Sequence, residues 1–299
     1  MTQPISDIDL INELKERFNK NETLFREQLT LMAELKNVNE KLVISEGLKS
    51  NFLSNIRNEI NNPVASILEL AKNISEGNMS ADAIKRFASL IYSETFSLDF
   101  QLRNIFASAE IEAGEALVST VLVNISSLME NTLLSFKHQV EKKNIQLLVS
   151  TSLNDTDTFC SDPEKLHLIL SNLLANAIQF SHVGGKVEIK FEIENGQFMF
   201  SILDHGPGIS DANRELIFDR FRQIEEGSTK TYGGHGLGLC ITKALLELIN
   251  GEIQLESEKD KGSLFSICVN EAENSSTEKD IFSSDGNDFL FMDNGSITF

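Results

Sequence analysis

The sequence has no tryptophan, three cysteines and four prolines among 299 residues. Cys160, Cys240 and Cys268 lie far apart, without the short spacings of a metal site. They read as reduced, buried thiols rather than as a disulfide framework. No apolar run approaches the roughly 18 residues needed to cross a bilayer. The polar N-terminus lacks a signal-peptide pattern. Positive charge is scarce too: 26 Lys and Arg against 45 Asp and Glu leave a formal charge of −19. That balance argues against nucleic acid and anionic membrane surfaces as partners. It favours a partner with complementary or apolar surface. The expected setting is the cytoplasm, with any signal arriving through a soluble partner or through segments outside this chain.

What is present divides into four stretches. Residues 7–75 contain one glycine, Gly47, and one proline, Pro63. Leu24, Leu31 and Val38 recur every seven residues, as do Leu35 and Leu42, while Ile11, Phe18 and Phe25 follow a neighbouring register. This predicts a coiled-coil-like helix over 1–44. It is either paired in a dimer or a lone amphipathic helix folded back on the protein. From residue 45 the pattern sharpens. Leu53, Ile56, Ile60, Pro63, Ile67, Leu70 and Ile74 alternate by three and four, as on a bundle helix. Pro63 removes one backbone donor and should kink it. After Ser75-Glu76-Gly77-Asn78 a second helix is expected from about 80 to 113, with Ile84, Phe87, Ile91, Leu98, Leu102, Ile105 and Ala109 inward. Two such hairpins (45–115), paired across a dimer, would make a four-helix bundle.

Residues 116–270 read differently. Short β-prone runs at 117–123 and 145–151 flank a helix at 125–142. A helix at 162–181 precedes a hairpin, 186–194 and 197–203, around Asn195-Gly196. A last helix, 236–250, stops at Asn250-Gly251, and strands 252–257 and 263–269 follow. The class is α+β, with an α/β sandwich as the second domain. Residues 271–299 carry seven acidic residues and one basic residue, the composition of a disordered tail. Phe289-Leu290-Phe291 is an apolar patch inside it.

Four blocks in the second domain carry chemistry. Asn172-Leu173-Leu174-Ala175-Asn176-Ala177-Ile178-Gln179-Phe180-Ser181 places two amides on one helical face. Asp204-His205-Gly206-Pro207-Gly208 follows a strand. Ile217-Phe218-Asp219-Arg220-Phe221-Arg222 precedes a polar stretch, 223–232. Gly233-Gly234-His235-Gly236-Leu237-Gly238-Leu239 opens the last helix, where glycines let backbone N–H groups approach phosphate. In this order and spacing the blocks resemble the ATP-binding boxes of the histidine kinase/Hsp90/MutL superfamily. The resemblance implies ATP and Mg²⁺ as cofactors. Asn176 would ligate Mg²⁺ and Asn172 would line the phosphates. Asp204 would accept from the adenine amine, with Gly206 and Gly208 shaping the turn beside the base. Gly234, Gly236, Leu237, Gly238 and Leu239 would form the phosphate loop. Arg220 would meet phosphates or another domain, and Lys230 would reach a phosphate from a lid at 223–232. Phe180 closes the first block. Gln179 stands where the family often has Lys, which would weaken phosphate binding without abolishing it. His205 has no catalytic role in this reading.

The helical hairpin resembles the phosphoacceptor box of two-component sensor histidine kinases, with one departure. In Asn51-Phe52-Leu53-Ser54-Asn55-Ile56-Arg57-Asn58-Glu59-Ile60-Asn61-Asn62-Pro63, Asn58 occupies the place of the acceptor histidine. It falls opposite the apolar seam, facing solvent. Its amide nitrogen lone pair is delocalised and is no nucleophile for a γ-phosphoryl group. All five histidines, His138, His167, His182, His205 and His235, lie in the second domain. Autokinase activity is therefore expected to be absent. Glu59 and Asn62 match the family's acidic residue and water-orienting amide for dephosphorylating a response regulator receiver domain. Four readings stay open. One is a pseudokinase or phosphatase acting on a response regulator. Another is a homodimeric scaffold controlling a separate sensor or kinase. The third is a kinase acting on a histidine elsewhere, and the fourth an ordinary kinase with an introduced Asn58.

Overall fold

The computed structural model describes residues 7–77, 79–220, 222, 236–273 and 281–282, part of the first helix by its backbone alone. Helix α1 (Asp7–Glu76) continues past Pro63. The chain divides into two compact units, Met1–Ser54 and Asn55–Phe299. The first is helical wherever it is described, and its heptad residues Leu24, Leu31, Leu35, Val38 and Leu42 are exposed.

In the second unit, α2 (Ala81–Ala113) starts at Ser80, whose hydroxyl accepts from Ala83 N at 3.3 Å, and ends at Gly114 with φ 70°. These are an N-cap and a left-handed stop. Its most buried residues are polar, Asn104 at 5% and Ser108 at 7% exposure. Ile84 and Ala109, expected inward, are exposed within this chain. The deepest burial on α2 follows its contact with the second domain, not the three-four apolar pattern.

The second domain runs β1 (Val121–Asn124), α3 (Ile125–Ser135), α4 (Lys137–Lys143), β2 (Gln146–Thr151), β3 (Thr158–Ser161), α5 (Pro163–Phe180), β4 (Lys186–Glu194), β5 (Gln197–Asp204), α6 (Gly238–Leu248), β6 (Gly251–Glu258), β7 (Gly262–Asn270) and β8 (Ile281–Phe282). Five strands form one sheet in the order β2-β4-β5-β7-β6. The β2–β4 pair is parallel and the other pairs are antiparallel. The β4–β5 turn is the expected two-residue hairpin, with Asn195 at φ 52° and Gly196 at φ 74°. Alternate strand residues, Val187, Ile189, Phe198, Phe200, Ile202 and Val269, are buried, as are Leu166, Ile169, Leu170, Leu173 and Leu174 of α5. Each such side chain contributes about 1.5–3 kcal/mol of burial. One helical layer on one sheet face is the sandwich that the pattern predicts.

Three details differ from the sequence reading. The helix expected over 125–142 breaks at Phe136, whose ring lies edge-on to Phe96 (5.3 Å) and Phe100 (5.8 Å) of α2. Strand β3, only four residues long, pairs antiparallel with β1 in a small second sheet. Within the expected disordered tail, Ile281–Phe282 pair with Leu122 and Val123 of β1 in parallel. Phe289-Leu290-Phe291 lies outside the described residues.

Candidate nucleotide-binding site

Helix α5 brings the first block into place. Asp162 caps it, accepting from Lys165 N at 3.0 Å, and Pro163 opens it. Asn172 is buried at 2% exposure and Asn176, one turn on, is half-buried. Gln179 is half-buried and Phe180 exposed at the C-terminal end. That end is held by Lys143, whose Nζ donates to Ile178 O (2.9 Å), Gln179 O (2.6 Å) and Ser181 O (2.9 Å). A cation satisfying the last carbonyls suits the negative end of a helix. Burial lowers the Lys143 pKa. The Ser181 hydroxyl oxygen beside it is buried without a hydrogen-bond partner.

Strand β5 delivers Asp204, buried at 4% exposure. Its Oδ1 accepts from Gly206 N at 2.8 Å, and burial nevertheless pushes its pKa up. The loop after it is clamped from two sides. A Cβ at Gly206 would lie 2.4 Å from Phe180 O, so the loop rests on the end of α5. A Cβ at Gly208, φ 66°, would lie 2.0 Å from Glu258 O in the β6–β7 turn. From that turn Asp260 N donates to Pro207 O at 2.6 Å. Ser257 Oγ accepts from Ile209 N at 2.8 Å and donates to Gly262 O at 2.8 Å. His205 turns away, 3.0 Å from Glu188 Oε1.

The fourth block meets the first. A Cβ at Gly238, the first residue of α6, would lie 3.4 Å from Asn172 Oδ1. Gly236 takes φ 64° against the Arg222 backbone, Leu237 is buried and Leu239 half-buried. Lys230, Gly234 and the stretch 223–232 lie outside the described residues. Arg220 Nη1 stands 3.7 Å from Glu112 Oε2 of α2.

Helix α2 packs over this end of the domain. Asn172 Nδ2 donates to Asn104 Oδ1 at 2.8 Å, and Asn104 Nδ2 donates to Phe100 O at 3.0 Å. A cavity of about 50 Å³ along the same seam is lined by Phe96, Arg103, Ser135 and His167, among others. Burial first, then the Arg103 charge, pushes the His167 pKa down to about 4. Asn58 and Asn62 are exposed, one turn apart on α1, while the Glu59 side chain lies outside the described residues. Among the described residues, no hydrogen bond or ion pair joins Asn58 or Asn62 to the cradle.

The residues fit an adenine nucleotide. Asp204 and the unpartnered Ser181 hydroxyl offer polar groups to a base, and the Gly238 end of α6 offers backbone N–H groups to phosphates. Among the described residues no group of three His, Cys, Asp or Glu is arranged for a metal ion. A Mg²⁺ ion would rest on amide oxygen and the phosphates, as Mg²⁺ usually shares its ligands. Lys143, Ser257, Gly262 and Asn104 escaped the sequence reading. Only Gly262, in a Lys-Gly turn between strands, had a visible signal.

Residues 161–273 match the family described as histidine kinase-, DNA gyrase B-, and HSP90-like ATPase. The chain is 30% identical over 226 residues to the circadian input-output histidine kinase CikA of Synechococcus elongatus, covering 75% of this chain and 30% of that protein. It is 31% identical over 247 residues to the sensor histidine kinase GacS of Pseudomonas protegens, covering 79% and 27%. It thus spans under a third of either relative. The full-length structure of ShkA in complex with AMPPNP superposes with a TM-score of 0.51 at 24% identity, over 76% of this chain and 46% of that one. Residues 161–273 thus carry the match to this ATPase family, and the likeness to ShkA bears on the fold alone. No helix among the described residues is long and apolar enough to cross a membrane.

Proposed function

We propose that this chain, with its histidine kinase-type ATPase domain, binds ATP and Mg²⁺ and serves two-component signalling without phosphorylating itself. The observation that carries the proposal is the glycine-shaped Asp204–Gly208 loop of a domain matched to an ATPase family, together with an exposed Asn58 on α1. ATP, when bound, would supply a γ-phosphoryl group. Asp204 would orient the adenine, Asn172 and Gly238 would face the phosphates, and Asn176 would hold the metal. Lys143 keeps the end of α5 in place beneath Phe180 and Gly206. The hairpin then lacks a nucleophile at the acceptor position.

In this reading the chain pairs as a homodimer, through a four-helix bundle of α1 and α2 and a coiled coil of the N-terminal turns. The exposed Leu24, Leu31, Leu35, Val38 and Leu42 support such pairing. The dimer acts on a response regulator receiver domain as phosphatase or sequestering regulator. Glu59 would polarise and Asn62 would orient the attacking water. The test has two arms. Calorimetry should find ATP binding with Mg²⁺ that is lost in Asp204→Asn. A receiver domain charged with acetyl phosphate should lose its phosphoryl group faster with the parent than with Asn62→Ala. Equal rates would leave the scaffold role in place of the phosphatase.

A further inference from the structure

We propose that Asn104, on α2 and outside the ATPase domain, is a positioning residue that decides which atom of Asn172 faces the phosphate end of the nucleotide site. The inference rests on the nucleotide reading of that site.

Hydrogen-bond chemistry fixes both amides. The Phe100 carbonyl can only accept, so the atom of Asn104 lying 3.0 Å from it is the NH₂ group. Asn104 therefore turns its oxygen to Asn172, 2.8 Å away, and Asn172 must answer with its own NH₂. The Asn172 oxygen is left toward the start of α6, where a Cβ on Gly238 would lie 3.4 Å from it. Both side chains are buried, at 5% and 2% exposure. A flipped Asn172 would set two oxygens against each other and lose the bond.

The consequence is electrostatic. A carboxamide oxygen facing the Gly238 end of α6 repels phosphate oxygens, and a phosphate there calls for the NH₂ group instead. That group is committed to α2. Docking of α2 at Asn104 and full engagement of a triphosphate therefore compete for the orientation of one amide, because its NH₂ group cannot turn to the phosphates without giving up the Asn104 bond. The adenine end, built on Asp204 and the β6–β7 turn, lies outside this competition. The same seam is closed further along α2 by Phe96 against Phe136 at 5.3 Å, so loosening either point frees Asn172.

The experiment is calorimetric titration of the full chain, the Asn104→Leu variant and the Phe96→Ala variant with ATP plus Mg²⁺ and, separately, with adenosine. Removing a hydrogen bond worth about 1 kcal/mol should tighten ATP binding by about three- to tenfold in Asn104→Leu. Phe96→Ala should shift it in the same direction, and adenosine affinity should stay unchanged in both. ATP and adenosine affinities that move together would show a merely structural role and overturn the proposal. So would ATP affinity equal to the parent's in a folded Asn104→Leu variant, and there the nucleotide reading would stand. If neither parent nor variant binds ATP or adenosine, the nucleotide reading and the proposal both fall. If only the variants bind ATP, the competition is upheld.

Discussion

Gly262 and Asp204 meet backbone to backbone: a Cβ on Gly262, at φ 96°, would lie 2.0 Å from the Asp204 carbonyl oxygen. The carboxylate proposed to meet adenine thus depends on a side-chain-free residue 58 positions later, on the neighbouring strand β7. The strands pair here, Asp204 opposite Ser263, so any displacement passes straight to the start of the Gly206–Gly208 loop.

Gly262→Ala should therefore cost stability and binding together. Both the steric clash and the left-handed φ oppose it, for a loss of about 2–4 kcal/mol. Denaturant unfolding would measure the first effect and calorimetry with ATP the second. An alanine variant as stable as the parent would mean that this turn is looser than described.

The raised pKa of Asp204 gives two opposite slopes with pH. Burial disfavours its ionised form, so the folded state binds the proton more tightly than the unfolded one. Its contribution to stability is present below the unfolded pKa and lost as pH rises through the folded one. Nucleotide binding in the proposed mode would run the other way, since the adenine amine would donate to a carboxylate and not to the protonated acid. ATP affinity should fall on acidification at a pH above the ordinary aspartate range. A pH series of ATP titrations of the parent would show the fall, and an affinity that stays flat down to the ordinary aspartate range would contradict it.

His167 produces acid sensitivity in the fold itself. The Thr132 hydroxyl donates to Leu128 O at 2.7 Å, so at 3.0 Å from Nδ1 it accepts from a neutral imidazole protonated there. With its pKa pushed from 6.5 to about 4, the unfolded chain takes up the proton first. The stabilisation is complete above about pH 6.5 and lost as pH falls toward 4, up to roughly 3 kcal/mol. His167→Gln should flatten this part of the stability curve, measured by urea unfolding between pH 7 and 4.

Much of this was legible in the sequence where a residue type answers a local geometric demand. Asn195-Gly196 announces the hairpin because both residues tolerate positive φ, and Asn250, at φ 56°, ends α6 as expected. The glycine blocks are readable for the same reason. The features missed depend on partners distant in the chain. Lys143 gives no signal until α5 ends beside it, 35 residues later. Asn104 and Ser108 lie among apolar residues whose spacing marks a different face of α2. Phe136 breaks a helix to reach Phe96 and Phe100, a demand of packing rather than of propensity. Strand β3 is too short to show a period and exists through its pairing with β1.

In the proposed reading the chain cradles ATP while its hairpin offers no acceptor at position 58. The most direct measurement is incubation with γ-labelled ATP and Mg²⁺, beside the Asn58→His variant, followed by mapping of any label. The parent should stay unlabelled and the variant should be labelled at residue 58. A parent that carries a phosphoramidate within residues 45–115 would contradict it.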